Sequence, residues 1–193
     1  MTEHPTLQLS DIEIVRGHCT LVSGLSLTLN TPQLLWVEGG NGIGKTSLLR
    51  TCAGLSRPSS GTVSWAMNGI ASEAPKCVSF LPAMPYAKSG LSVQEEAALW
   101  GADLSHVSMI EHAMTRTERL STGQAKRLSL AKLMTKNKPI WILDEPLAGL
   151  DEAGRSFVAD CLAKHVSNGG IALVASHAPI SVDHVKTRRL SLT

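Results

Sequence analysis

The sequence has no marked excess of charge of either sign. Eighteen Lys and Arg residues against 16 Asp and Glu residues leave a formal net charge of +2. Binding of nucleic acid by bulk charge needs a strongly basic face, so this class of protein is disfavoured. Charged residues make up 18% and apolar residues 43% of the 193-residue chain. A disordered chain would be poorer in apolar residues and richer in net charge, so a folded domain is expected.

Paired cysteines and long apolar runs are also missing. No two cysteines have the C-x-x-C spacing of a zinc site or a redox pair, so free thiols in a reducing compartment are expected. The four residues are Cys19, Cys52, Cys77 and Cys161. No apolar run approaches the roughly 18 residues that cross a bilayer, and the polar N-terminus has no signal core. We expect a cytosolic chain that reaches a membrane only through a partner.

Apolar patterning predicts an α/β fold whose two ends are rich in strands. Short strands are expected between Thr6 and Leu29, where apolar and polar residues alternate. Three continuous apolar runs have the character of buried strands in a mostly parallel sheet. They cover residues 34–37, 140–143 and 171–175. Helices are predicted over 45–53 and 156–166.

The middle of the chain changes character and predicts a helical insert over about 82–132. Ser92 and Glu95 have the Ser-x-x-Glu spacing of a capping box, which could open a helix through Leu99. Two or three further helices are expected before Met134. Since there is no internal repeat or low-complexity stretch, residues 1–193 are expected to form a single domain.

The clearest motif is a glycine-rich loop that follows the first continuous apolar run. Residues 39–46 read Gly-Gly-Asn-Gly-Ile-Gly-Lys-Thr, which fits the phosphate-loop pattern G-x-x-x-x-G-K-[ST]. Glycines let the backbone wrap closely around an anion, and the following helix adds its positive end. Lys45 is predicted to reach the β- and γ-phosphates and Thr46 to ligate Mg²⁺. The predicted ATP-binding residues of the loop are Gly39, Gly40, Asn41, Gly42, Ile43, Gly44, Lys45, Thr46 and Ser47.

A second motif consists of two acidic residues after the apolar run 140–143. Asp144 lies where a buried strand would end, and a carboxylate there can hold the Mg²⁺ shell. Glu145 follows and can act as the general base that polarises the attacking water. The predicted metal ligands are therefore Thr46 and Asp144, and Glu145 is the predicted base.

A third motif, Leu-Ser-Thr-Gly-Gln over residues 120–124, would by itself indicate no more than a helix cap. It stands 20 residues before Asp144, and with the other two motifs it resembles the signature of the ATP-binding-cassette (ABC) ATPases. The resemblance extends over nearly the whole chain, from about Leu7 to Leu192. It implies a P-loop NTPase fold with an antiparallel β subdomain at the N-terminus, a mostly parallel core sheet and a small helical insert.

The resemblance also implies that two copies of the chain enclose ATP between them. The phosphate loop of one copy would then face the signature of the other, whose residues are Ser121, Thr122, Gly123 and Gln124. Asp151 matches the loop that meets the partner copy. His177 matches the switch histidine of the family, which contacts the γ-phosphate and orients Glu145; Lys45, Glu145 and His177 form the implied catalytic set.

Within this family the chain is most similar to the ATPase subunits of the haem exporters of cytochrome c maturation. This narrower resemblance implies attachment to the cytoplasmic face of the bacterial inner membrane through integral membrane subunits. ATP hydrolysis would drive release of haem from its chaperone complex, without direct contact between this chain and haem. Nucleic acid is not an expected partner.

Two family features are missing from the sequence. In this family a glutamine in the loop that enters the insert usually approaches Mg²⁺ and the attacking water. Here Met84 occupies the position that best matches this glutamine. A thioether is a poor ligand for a hard cation, so either water fills the gap or hydrolysis is slow. The aromatic side chain that stacks on adenine is also missing near residue 16. Arg16 could replace it, because a guanidinium plane can stack on a base.

Three alternatives follow from these observations. The chain could serve a different ABC exporter, or be a weakly active nucleotide-binding module, as Met84 suggests. A soluble ABC ATPase of DNA repair or translation is disfavoured because the insert of roughly 50 residues carries no heptads. The low fraction of charged residues fits a protein with two covered surfaces, one in contact with a second copy of the chain and the other in contact with a membrane subunit.

Overall fold

A computed structural model describes residues 4–84, 87–180, 182, 184–185 and 187–193. Its N-terminal part is an antiparallel sheet of four strands in the order β2-β1-β4-β5. The strands are β1 (Pro5–Arg16), β2 (Cys19–Asn30), β4 (Ser60–Met67) and β5 (Ile70–Ser72). The sequence predicts shorter strands over 6–29, but register shifts between Leu9 and Ile12 let β1 continue as one strand.

The core sheet has five strands in the order β6-β7-β8-β3-β9. The strands are β3 (Gln33–Glu38), β6 (Val78–Leu81), β7 (Ile140–Asp144), β8 (Ile171–Ala175) and β9 (Thr187–Ser191). Every neighbouring pair is parallel. The carboxyl ends of these strands therefore lie at one edge, where ligands bind in open α/β sheets.

Two helices follow strands of the core sheet closely. Helix α1 (Lys45–Cys52) begins directly after the glycine-rich loop, and Gly54 beyond its end has a φ of 71°. Helix α5 (Glu152–Ser167) begins four residues before the predicted start, because the Asp151 side chain accepts a bond from the Gly154 N–H at 2.8 Å. An acidic residue at this position caps a helix and fits its positive end.

The described residues between β6 and β7 contain two α-helices. Helix α3 (Val93–Trp100) starts at the predicted capping box, and helix α4 (Thr122–Thr135) starts at the signature. Three short 3₁₀ turns over 104–107, 110–112 and 117–119 stand between them, so α4 is the one α-helix among the two or three further helices that the sequence predicts here. A one-turn helix, α2 (Ala74–Cys77), precedes β6.

Both faces of the core sheet are covered. Leu35, Val37 and Ile142 face α1 and the antiparallel sheet, whereas Trp36 and Leu143 face the side of α4 and α5. Burial on both faces explains why these strands read as continuous apolar runs. Among the described residues, no helix is long and apolar enough to cross a membrane.

Candidate active site

The glycine-rich loop connects β3 to α1 at the carboxyl edge of the sheet. Gly39, Gly42 and Gly44 have φ values of 152°, 78° and 114°, which side-chain-bearing residues rarely adopt. A Cβ atom on Gly39 would lie 2.9 Å from the Leu192 carbonyl oxygen, and one on Gly44 would lie 2.9 Å from the Cβ of Leu21. The glycines are therefore required both by the backbone and by packing against neighbouring segments.

Lys45 lies folded against the loop that precedes it. Its Nζ donates to the carbonyl oxygens of Gly39 and Gly40 at 2.7 and 2.9 Å. The side chain is buried although it carries a charge. The loop thus holds an ammonium group close to its own backbone, where it can pair with a phosphate.

Thr46 and Asp144 meet across the junction of α1 and β7. The Thr46 hydroxyl donates to Asp144 Oδ2 at 2.8 Å, and Asp144 is only 2% exposed. A hydroxyl and a carboxylate oxygen suit Mg²⁺, which prefers hard oxygen ligands and takes the remaining ones from water and phosphate. No cluster of three or more His, Cys, Asp or Glu side chains that could hold a metal by itself occurs in the described part of the chain. The donor set therefore fits an Mg²⁺ ion that arrives with a nucleotide.

Glu145 lies next to Asp144 in a strained turn. Its φ is 46°, an uncommon value for a non-glycine residue, and its N–H donates to the Ala175 carbonyl at 2.8 Å. The carboxylate faces His177: Oε1 lies 3.3 Å from Nε2, and Oε2 accepts a bond from the His177 N–H at 3.4 Å. Oε1 is buried and accepts no hydrogen bond with good geometry. A carboxylate in this state can take a proton from a nearby water.

Lys126 is a site residue that the sequence analysis missed. Its Nζ donates to the carbonyl oxygens of Glu145 and Ala148 at 2.6 and 2.5 Å. Burial lowers the pKa of the Lys126 ammonium, while the neighbouring charges of Glu145 and Asp144 act in the opposite direction. Lys126 lies four residues before the buried Leu130 and therefore on the buried face of α4. This helical spacing is the sequence pattern that could have predicted a buried Lys126.

The signature residues form the start of α4 as a capping box. The Ser121 Oγ accepts a bond from the Gln124 N–H at 3.2 Å, and the Gln124 Oε1 accepts one from the Ser121 N–H at 2.9 Å. Asp151 and the four signature residues line one open cavity of about 600 Å³, and no phosphate-loop residue lines it. The signature and Asp151 are thus close to each other and separate from the phosphate loop of the same chain.

Arg16 and Met84 are both exposed. Arg16 pairs with Cys19 at the tip of the β1–β2 hairpin. Leu21, two residues on, is the neighbour that a Cβ on Gly44 would meet, so this tip lies beside the phosphate loop. Met84 is 85% exposed. Residues 85 and 86 of the same loop lie outside the described residues.

Residues 22–148 match the protein family described as ABC transporter. The chain is also 40% identical over 188 residues to the cytochrome c biogenesis ATP-binding export protein CcmA of Methylococcus capsulatus, covering 89% of this chain and 90% of that protein. The protein of the same name from Escherichia coli K12 is 32% identical over 199 residues, covering 97% and 96%.

Solved structures share the fold. The dimeric post-hydrolysis state of the ATP-binding cassette MJ0796, bound to ADP and Pi, has a TM-score of 0.80 at 20% identity, covering 96% of this chain and 94% of that one. An ATP-binding protein of a putative ABC transporter from Pyrococcus furiosus has a TM-score of 0.77 at 23% identity, covering 96% and 97%. At these identities the likeness concerns the fold alone.

Proposed function

Since this chain belongs to the ABC transporter family and is an ATPase subunit most similar to CcmA proteins, we propose that it powers the haem exporter of cytochrome c maturation. ATP hydrolysis by this subunit would drive release of haem from its chaperone complex. The observation that carries the proposed chemistry is the cluster at the carboxyl edge of the sheet. There Thr46 bonds to Asp144, and Glu145 lies 3.3 Å from His177.

Binding of ATP begins with an exchange of partners at Lys45. Its ammonium leaves the carbonyl oxygens of Gly39 and Gly40 and pairs with the β- and γ-phosphates, while the loop N–H groups and the start of α1 receive the remaining charge. Arg16 at the hairpin tip stacks on the adenine. When bound, Mg²⁺ would neutralise charge on the β- and γ-phosphate oxygens, and Thr46 and Asp144 would hold it.

Hydrolysis requires a base and an oriented water. The Glu145 carboxylate accepts a proton from a water whose oxygen attacks the γ-phosphorus, as the bond from that phosphorus to the β–γ bridging oxygen breaks. ADP and inorganic phosphate leave. His177 holds the Glu145 carboxylate on one side and contacts the γ-phosphate on the other.

A second copy of the chain completes the site. Ser121, Thr122, Gly123 and Gln124 stand at the start of a helix and away from the phosphate loop of their own chain, so they are free to meet the ATP of a partner. The Asp151 loop lies beside them and forms part of the same contact surface. Each ATP would then bind between the phosphate loop of one copy and the signature of the other.

Membrane subunits would dock in a groove between α3, α4 and the end of β6. The groove has a volume of about 220 Å³ and is lined by Leu99, Trp100, Lys132 and Lys136, among others. Leu99 is 63% and Trp100 48% exposed. Exposed large apolar side chains side by side indicate a covered surface. Docking here would hold the chain peripherally at the cytoplasmic face of the inner membrane.

The decisive test is the variant Glu145→Gln. An amide cannot accept the proton, so we expect turnover to fall by about 100-fold or more, while ATP binding persists. Because hydrolysis no longer separates the two copies that enclose ATP, this variant with ATP should sediment as a dimer. Steady-state phosphate release, equilibrium nucleotide binding and analytical ultracentrifugation measure the three effects.

Lys45→Ala provides the contrasting variant. It removes the charge that pairs with the phosphates, so both nucleotide binding and turnover should fall. Unchanged hydrolysis by Glu145→Gln would refute the role of Glu145. A wild-type rate no higher than that of Lys45→Ala would instead favour the weakly active nucleotide-binding module that Met84 suggests.

A further inference from the structure

Lys126 joins two segments of the site through a single ammonium group. Its side chain is 2% exposed, and its Nζ donates to the carbonyl oxygens of Glu145 and Ala148 at 2.6 and 2.5 Å. The Ala148 N–H also donates to the Glu145 carbonyl at 3.3 Å, so residues 145–148 form a turn. The lysine therefore binds the first and the last carbonyl of this turn.

The turn needs such an anchor because Glu145 is held in an unfavourable conformation. A non-glycine residue with a φ of 46° persists only where its surroundings stabilise that backbone. The Ala175 carbonyl accepts the Glu145 N–H on one side, and Lys126 binds the Glu145 carbonyl on the other. Charge-assisted bonds of this kind are stronger than neutral ones, and a buried site protects them from water.

Lys126 also belongs to the helix that begins with the signature. It lies in α4, two residues after Gln124, and Ala148 lies three residues before Asp151. A shift of α4 when Ser121–Gln124 meet the partner's ATP would move the Lys126 ammonium, and with it the Glu145 carbonyl. The segment that meets the partner and the turn that carries the base are thus connected by two hydrogen bonds.

We propose that Lys126 is a positioning residue that couples contact with the partner's ATP to the orientation of the Glu145 carboxylate. The inference rests on the proposed function, since it assigns Lys126 a role in the same hydrolysis. Lys126 does not touch the substrate and acts only through the backbone of residues 145–148.

The test compares Lys126→Met and Lys126→Arg in steady-state ATP hydrolysis. Methionine fills the same space but donates no bond, so kcat should fall by about tenfold or more, with the KM for ATP within about twofold. The Hill coefficient for ATP should fall towards one. Arginine can direct N–H groups at both carbonyls, so Lys126→Arg should recover most of kcat.

Lys138→Met is the matched control, because the Lys138 Nζ also donates to a backbone carbonyl, that of Lys76, at 2.8 Å and away from the site. It should keep the wild-type kcat. Thermal unfolding of all variants identifies any loss that follows from unfolding. The proposal would be overturned if the decrease in kcat followed the decrease in melting temperature across Lys126→Met, Lys126→Arg and Lys138→Met.

A double-mutant cycle separates a role through Glu145 from an independent one. If Lys126 acts through Glu145, Lys126→Met should cause no further loss in single-turnover rate when Glu145→Gln is already present. Additive losses would overturn the inference, as would an unchanged kcat for Lys126→Met. Full activity of Glu145→Gln alone would instead refute the role of Glu145 in the proposed hydrolysis, which distinguishes the two failures.

Discussion

His165 shows how one side chain is held neutral inside this fold. Its ring stacks on Trp141 with a centroid distance of 4.0 Å and an interplanar angle of 10°. Its Nε2 lies 3.1 Å from the Ile171 carbonyl oxygen. A Cβ on Gly170 would come within 2.3 Å of the same nitrogen, so glycine is needed there. Burial lowers the pKa of His165 from 6.5 to about 4.

This pKa predicts a loss of stability in acid. Above pH 6.5 the histidine is neutral in both the folded and the unfolded chain, so it adds no pH dependence. Between pH 6.5 and about 4 the unfolded chain takes up a proton that the folded chain does not, so the free energy of unfolding falls as the pH falls. The decrease should reach roughly 2–3 kcal/mol near pH 4.

Urea unfolding at several pH values measures this slope. His165→Phe keeps a ring against Trp141 but cannot titrate, so its free energy of unfolding should depend less on pH over the same interval. His18→Gln, at an exposed histidine, serves as control and should keep the wild-type slope. Equal slopes for all three proteins would show that the acid sensitivity arises elsewhere.

The start of helix α3 is determined by neighbouring residues in the sequence. The Ser92 Oγ accepts a bond from the Glu95 N–H at 3.2 Å, and Glu95 Oε2 accepts one from the Ser92 N–H at 2.7 Å. The helix ends at Trp100 and is capped by Gly101, whose φ is 64°. The capping box that the sequence predicts is therefore confirmed.

Ser92→Ala should destabilise this helix. It removes the acceptor for the Glu95 N–H, which typically costs about 1 kcal/mol. Urea unfolding followed by circular dichroism would report the loss, and faster hydrogen exchange over residues 93–100 would localise it. Ser167→Ala, at the exposed last residue of α5, removes no such acceptor and should leave the stability unchanged. Equal effects of both variants would contradict the capping role.

Other elements depend on neighbours rather than on their own sequence. Strand β9 reads Thr-Arg-Arg-Leu-Ser and has no strong strand pattern, yet it pairs with β3 over Leu34–Glu38. Strand β5 has three residues and exists as the continuation of a hairpin with β4. Neither was predicted, because local propensity is weak where partner strands supply the hydrogen bonds.

At the scale of the whole molecule, the groove beside α3 and α4 is the surface to test for docking. The Nζ atoms of Lys132 and Lys136 lie 5.9 and 5.1 Å from the centre of the Trp100 ring. These contacts leave the ring half exposed and hold its orientation. A large, rigid aromatic side chain at the edge of a groove is typical of an interface anchor.

Trp100→Glu should therefore weaken capture of the membrane subunits. In a pull-down from detergent-solubilised membranes, we expect recovery of the integral membrane subunits to fall by about tenfold, which corresponds to about 1.4 kcal/mol. Ile110→Glu, at a residue that is 64% exposed outside the groove, should retain wild-type recovery. Mass spectrometry identifies the recovered subunits. Equal recovery with Trp100→Glu would exclude this groove as the docking surface.

The sequence by itself predicted a nucleotide-hydrolysing site and determined much of the fold. The phosphate loop, the acids after β7 and the cap of α3 are local patterns, in which neighbouring residues supply their own backbone geometry. The apolar runs likewise determined the buried strands, because a strand covered on both faces must be apolar throughout. The pairing of Thr46 with Asp144 follows once both motifs lie at the carboxyl ends of strands.

The tertiary structure alone decided what depends on distant segments. It brought Lys126 of α4 to the carbonyls of Glu145 and Ala148, and it joined β9 to β3. The family resemblance had implied that His177 orients Glu145, and the tertiary structure added the geometry, with Nε2 3.3 Å from Oε1. The physical reason is that the Lys126 and β9 contacts involve a buried charge and backbone groups, whose partners are determined by the packing of whole elements rather than by neighbouring residues.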